Sequence, residues 1–144
     1  MKKKNNNDND ASAFDRMLNA FDYYEIGLMY NREAMGEEDR KRALQYYQKA
    51  AEQGSAAAQY LLGIAYDSGD GIKEDKVKAT QFYRQAAEQG HADAAFALGL
   101  CYELGEGVEE NKEKAMECFL KAANLGNLNA MEMVDNYLSE SEEE

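Results

Sequence analysis

Cys101, Cys118 and His91 are the side chains best suited to chemistry, set among 28 acidic residues. One histidine with two cysteines could in principle hold a metal, but the spacing does not favour it. His91 is the only histidine, which excludes a paired-histidine mechanism and a zinc site of two histidines and two cysteines. It follows Gly90 at an expected helix start, an exposed position, while Cys101 lies well along the helix that His91 begins. The segment from Asp67 to Asp75 imitates a calcium loop, but Gly69 and Gly71 stand where oxygen ligands are needed and Lys78 stands in place of the closing glutamate. The Gly-x-Gly pairs lack the third glycine of a phosphate loop and follow a helix rather than a strand. No Ser-x-x-Lys motif occurs, and nothing in the sequence holds a carboxylate in an apolar pocket. The expectation is no enzyme, no cofactor and no metal. Arg40, Lys41 and Arg42 form the one internal basic cluster, in the first turn of a helix where the dipole disfavours cations. An ordinary exposed turn explains it, with a contact to an acidic partner as the alternative.

The elements that position these groups follow from composition. The chain has 144 residues, a formal net charge of −12, no proline and no tryptophan. Absence of proline suits a helical chain. The negative charge repels nucleic-acid phosphates and anionic membranes, so neither is expected as a partner. No apolar run of about 18 residues is present, so no membrane span is expected. Met1 to Lys4 open with charge, but no apolar stretch follows, which argues against export and for a cytoplasmic protein. Residues 1–10 read as a disordered segment.

Glycines set the period. Gly54, Gly90 and Gly126 lie 36 residues apart, as do Gly27, Gly63 and Gly99. Tyr30, Tyr66 and Tyr102 follow the same interval, as do Ala43, Ala79 and Ala115, then Ala50, Ala86 and Ala122, then Ala51, Ala87 and Ala123, with aromatics at Tyr47, Tyr83 and Phe119. Each unit reads as two helices, from about Ser55 to Ser68 and from about Asp75 to Gln89 in the second unit. Asp39, Asp75 and Asn111 sit where N-caps of the second helices belong. Gly54, Gly90 and Gly126 sit where a left-handed residue closes them. Gly69 with Gly71, and Gly105 with Gly107, serve the turns inside the units. Glu33 and Met35 replace that pair in the first unit, so its turn differs. Small residues at Gly63, Gly99, Ala79 and Ala115 let paired helices approach.

The predicted fold is all-α: an α/α solenoid of three antiparallel helical hairpins in units of about 18–53, 54–89 and 90–125, with a capping helix over 126–138. Residues 11–138 form this solenoid and 139–144 an acidic, frayed tail. Residues Ala11 to Ala20 extend the first helix backwards from near Asp10. In the last helix Asp135 stands in the Gly63 column, because no second helix follows, and its outer face reads as polar. Cys101 and Cys118 sit nearly equidistant from one hairpin turn and are expected to face each other as buried thiols.

These columns resemble the Sel-one-like repeat family, relatives of tetratricopeptide repeats. The third unit carries the pattern as Ala94, Leu98, Gly99, Tyr102, Gly105, Gly107 and Val108, then Asn111, Lys114, Ala115, Phe119, Lys121, Ala122, Ala123 and Gly126. The match runs from about Leu18 to Leu138. The resemblance implies a right-handed superhelix whose first helices line a concave face, and an adaptor or scaffold role in protein complexes. By that comparison Tyr24, Tyr60 and Phe96 point to the concave side, with Leu28, Ile64 and Leu100 one turn on and Asn31, Asp67 and Glu103 another turn on. The strip suits a partner protein or peptide with basic flanks. Packing between adjacent first helices is the competing reading. Two functional alternatives stand beside it: a hydrolase, as in the family's cysteine-rich branch, and a homo-oligomer built through terminal faces. The cysteines of that branch fall at other columns, here Ala95 and Ala123.

Overall fold

A computed structural model describes residue 13, residues 16–33 and residues 36–143. Among these residues it contains seven helices and no strand: α1 (Ala20–Arg32), α2 (Glu37–Glu52), α3 (Ala56–Ser68), α4 (Lys76–Glu88), α5 (Ala92–Leu104), α6 (Lys112–Asn124) and α7 (Leu128–Glu142). Each helix packs on its neighbours in sequence. The pairs α1/α2, α3/α4 and α5/α6 make the most extensive contacts, and α2/α3, α4/α5 and α6/α7 join the pairs into a stack. This is the expected solenoid of three hairpins and a terminal helix. The predicted disordered segment 1–10, Met35 and the final residue of the tail lie outside the described residues.

Local chemistry explains the element ends. Asp75 accepts from the Lys78 amide and Asn111 from the Lys114 amide, each at 3.0 Å, as N-caps of α4 and α6. The second helices close alike. The amides of Ser55, His91 and Asn127 reach back to the carbonyls of Ala50, Ala86 and Ala122 at 3.0, 3.1 and 2.9 Å. The residue between must turn left-handed, and Gly54, Gly90 and Gly126 do so at φ 93°, 87° and 99°.

Four expectations are corrected at the ends of the chain and its first unit. Asp39 is not an N-cap. Helix α2 begins at Glu37 behind Gly36, with no side-chain cap, and Asp39 falls inside its first turn, where an acid favours the dipole. The reason is length: without the glycine pair, α2 enters a turn earlier and has 16 residues against 13 in α4 and α6. Helix α1 does not extend continuously back to Asp10, because Asn19 caps it. Its side chain accepts from the Phe21 and Asp22 amides while Asp22 accepts from the Asn19 amide. Helix α7 runs through Glu142, past the expected start of the frayed tail at Ser139. Its outer face is mixed rather than polar: Leu128 is 77% exposed and Leu138 59%, with Met131 and Tyr137 also exposed, among exposed Asn129, Glu132, Asp135 and Asn136.

The core consists of small residues facing large rings. Ala50, Ala86 and Ala122 are fully buried, and Tyr47, Tyr83 and Phe119 are nearly so. A Cβ on Gly27, Gly63 or Gly99 would stand only 2.6, 2.5 or 2.5 Å from the ring of Tyr47, Tyr83 or Phe119. Glycine at that column therefore sets how closely each hairpin closes. Between units, Gly107 lies against the Lys76 carbonyl, and Thr80 donates to both the Lys76 carbonyl (2.9 Å) and the Glu106 carbonyl (3.2 Å).

Candidate functional site

The first-helix strip is partly core and partly surface. Tyr24, Tyr60 and Phe96 are half-buried. Their rings lie 6.1, 6.0 and 5.7 Å from those of Tyr47, Tyr83 and Phe119, so each leans on the second helix of its own hairpin. Tyr60 also meets the His91 ring of the next unit at 4.7 Å. Leu28 and Leu100 are half-buried and Ile64 is 39% exposed. Asn31 is exposed, and Asp67 and Glu103 are half-buried.

The acids of the strip are partly engaged. Lys76 Nζ donates to Asp67 Oδ1 at 2.6 Å and to the Asp67 carbonyl at 2.9 Å. The hydrogen bond to Asp67 is the main cause of a raised Lys76 pKa, opposed by desolvation. Tyr83 donates to Asp67 Oδ2 at 3.4 Å, and burial pushes its phenol far above the ordinary range. Lys112 donates to the Glu103 backbone carbonyl at 3.2 Å.

Charge is divided between helix sets. Helices α3, α5 and α7 contain no lysine or arginine. The second helices carry four cations in α2, three in α4 and three in α6. Several of these cations lie over aromatic faces: Arg42 on Tyr30 at 6.0 Å, Lys78 on Tyr66 at 5.4 Å and Lys114 on Tyr102 at 5.6 Å. The sequence reading missed this ladder, although its signal was present, since Arg42, Lys78 and Lys114 are themselves spaced by 36 residues.

His91 was expected to be exposed and is instead a half-buried N-cap of α5. Its Nδ1 accepts from the Ala94 amide at 3.1 Å, and burial lowers its pKa against the opposing pull of Asp93. Cys101 is buried and Cys118 half-buried, and both are free thiols. Cys118 Cβ lies 3.2 Å from where a Cβ on Gly99 would stand, so it faces α5. Burial raises both thiol pKa values, which suppresses the reactive thiolate. Cys118 borders a cavity of about 320 Å³ with Arg84, Tyr102 and Lys121. Among the described residues no group of three metal-ligating side chains converges, and no helix is long and apolar enough to cross a membrane.

A stack of helical hairpins with a recurring close-approach glycine defines an α-solenoid repeat protein. Residues 20–55, 56–91 and 92–127 each match the Sel1 repeat, and the chain belongs to that family. Similar solved structures include c5321, described as a protective antigen of uropathogenic Escherichia coli displaying an SLR fold, at 33% identity and TM-score 0.78 over 85% of this chain and 26% of that one. A Sel1 repeat protein from Oxalobacter formigenes aligns at 38% identity and TM-score 0.73 over 78% of this chain and 46% of that one. Cysteine rich protein B of Helicobacter pylori aligns at 28% identity and TM-score 0.65, covering 77% and 88%. The chain thus spans about a quarter of the first of these proteins and under half of the second. No curated protein matches it. Sel1 repeat proteins are generally scaffolds for protein interaction.

Proposed function

We propose that the chain is a non-catalytic interaction module whose first-helix face takes a partner segment with basic flanks. The observation that carries this reading is the division of charge. The face that presents Tyr24, Tyr60, Ile64, Phe96 and Leu100 draws on α1, α3 and α5, of which α3 and α5 lack any cation and carry the half-buried acids Asp67 and Glu103. Long-range attraction then favours a basic segment, and the exposed part of Ile64 offers it an apolar contact. The half-buried rings of the strip serve hairpin packing as well, so the aliphatic and polar positions contribute most of the contact. Two free thiols, one buried and one half-buried, suit a reducing compartment such as the cytoplasm.

Site-specific photo-crosslinking tests the proposal. A crosslinker at Ile64 is expected to trap a partner, whereas one at the exposed second-helix residue Gln81 is not. Capture from Gln81 alone would move the interface to the opposite face. Self-association is a second reading, favoured by exposed Leu128, Met131, Tyr137 and Leu138 on α7. Light scattering decides it: a monomer at high concentration removes that reading.

A further inference from the structure

One column of the repeat changes from large to small in the third hairpin. Tyr46 and Phe82 stand in it in the first and second units, and Cys118 in the third. Each of the two rings stacks on the tyrosine that recurs in its own hairpin. Tyr46 lies 5.5 Å from Tyr30 with the planes 10° apart, and Phe82 lies 5.7 Å from Tyr66 at 7°. Cys118 has no ring to lay on Tyr102, the third member of that tyrosine column. A second column shrinks beside it, from Tyr23 and Gln59 to Ala95. The cations that attend the missing ring are kept. Lys114 lies over Tyr102 at 5.6 Å, as Arg42 and Lys78 lie over Tyr30 and Tyr66. Lys121 stands in the column of Lys49, whose Nζ is 5.7 Å from the Tyr46 ring centroid.

A cavity of about 320 Å³ lies at this point, between α4, α5 and α6. Its apolar lining is Ala87, Ala95 and Leu98, all buried, with half-buried Tyr102 and Cys118. Its charged lining is Arg84, Glu88, Lys114, Glu117 and Lys121, of which all but Arg84 are exposed, so the cavity opens among them. Arg84 Nη2 donates to the Tyr102 hydroxyl at 3.0 Å, which holds that ring against collapse into the gap. None of these residues belongs to the first-helix strip. Three cations and two carboxylates nearly balance, so the mouth does not select a strongly charged ligand, while cations beside the cavity attract the face of a ring. The volume falls at the lower end of the range for small-molecule pockets, about 300–1,000 Å³.

We propose that this cavity binds a small neutral molecule with one aromatic ring, a phenol or simple benzene derivative, whose ring takes the place that Tyr46 and Phe82 fill in the other hairpins. The ring lies on Tyr102 and covers Ala87, Ala95 and Leu98, and Lys121 attends it as Lys49 attends Tyr46. A hydroxyl on the ring is tolerated but not required, since the column holds a tyrosine in one unit and a phenylalanine in the next. The site is independent of the partner segment proposed for the first-helix face.

Three probes test the site: p-cresol, its ring-saturated analogue, and N-acetyl-tyrosine methylamide, which carries the same ring on a peptide backbone. Each is titrated into the full chain, with backbone amide shifts read by NMR. p-Cresol is expected to shift Ala95, Tyr102 and Cys118, to leave Ile64 unmoved, and to bind about fivefold more tightly than the saturated analogue, the worth of one aromatic pair. Cys118→Phe is expected to fill the slot from within, as Phe82 does, so it melts at or above the parent and loses the p-cresol shifts. Tyr102→Leu, which places in this column the residue that α7 carries there as Leu138, is expected to bind the ring and its saturated analogue equally. Equal binding of the two by the parent overturns the site, and so do shifts centred on Ile64. A Cys118→Phe protein that still binds p-cresol places the ligand elsewhere, and one that melts well below the parent shows that no ring fits; either overturns the proposal. A ring preference that survives Tyr102→Leu also overturns it. The tyrosine derivative is expected to bind more weakly than p-cresol, because its amides must displace the charged side chains at the mouth. Tighter binding of that derivative overturns the free-molecule assignment and gives the slot to a side chain of another protein.

Discussion

Gly63→Ala is predicted to destabilise the protein even though alanine is the better helix former. The added methyl would stand 2.5 Å from both Cδ1 and Cε1 of Tyr83. Ordinary carbon contacts lie at about 3.5–4.0 Å, so α3 and α4 must part by about 1 Å or the ring must retreat. Retreat is blocked, because Tyr83 is 3% exposed and its hydroxyl is tied to Asp67. Overpacking of this kind costs about 1–3 kcal/mol, and a rigid ring puts the cost at the upper end. The helix-propensity gain of replacing glycine offsets about 1 kcal/mol. The net loss is about 2 kcal/mol, or about 6 °C in melting temperature for a domain of this size. Asp135→Ala is the control, since Asp135 occupies the same column on α7, is exposed and faces no second helix. Thermal melts followed by circular dichroism should show Asp135→Ala unchanged or slightly more stable. A Gly63→Ala protein that melts higher than the parent, or an Asp135→Ala protein damaged as much, refutes the close-approach account.

Acid titration tests the His91 cap. Its folded pKa lies below the unfolded value, so the unfolded chain binds the proton more readily. The stability it confers is complete above about pH 6.5 and is lost as pH falls toward the lowered folded value. His91→Asn keeps a cap acceptor that does not titrate, so the parent should lose about 1 kcal/mol relative to the variant across that window. Parallel profiles would show that His91 does not cap α5 in solution. The thiols give an independent check of packing: a thiol reagent at mild alkaline pH should modify half-buried Cys118 before Cys101, which is 8% exposed, and both rapidly only after unfolding. Fast modification of Cys101 in the native protein contradicts its buried placement.

Much of the fold was legible because it repeats. A glycine that must turn left-handed, or that must admit a ring, leaves a mark at every 36th residue, and three copies made each column plain. Asp75 and Asn111 were readable as caps for the same reason. Asp39 failed because the column was extended into a unit whose turn is built differently. His91 was misjudged because the burial of a cap depends on the preceding unit, here on Tyr60, which is distant in sequence. The strip was located by column, but its columns carry no information on how far Tyr24, Tyr60 and Phe96 lean onto Tyr47, Tyr83 and Phe119. The buried Tyr47 hydroxyl, unlike that of Tyr83, has no hydrogen-bond partner, and the two departures that accompany this, Asn31 in the Asp67 column and Arg40 in the Lys76 column, could be read as a group only once the structure placed them together.

Affinity measurements on opposed faces test the interaction account most directly. With a partner trapped at Ile64 in hand, its dissociation constant should be measured for Ile64→Arg with Glu103→Arg, and separately for Lys78→Glu with Lys114→Glu. The first pair places cations on a face whose helices α3 and α5 have none, and a loss of about tenfold or more is predicted for a basic segment. The second pair alters only the second-helix ladder and should change affinity less than about twofold. The reverse pattern, with the first pair silent and the second disruptive, would contradict the account.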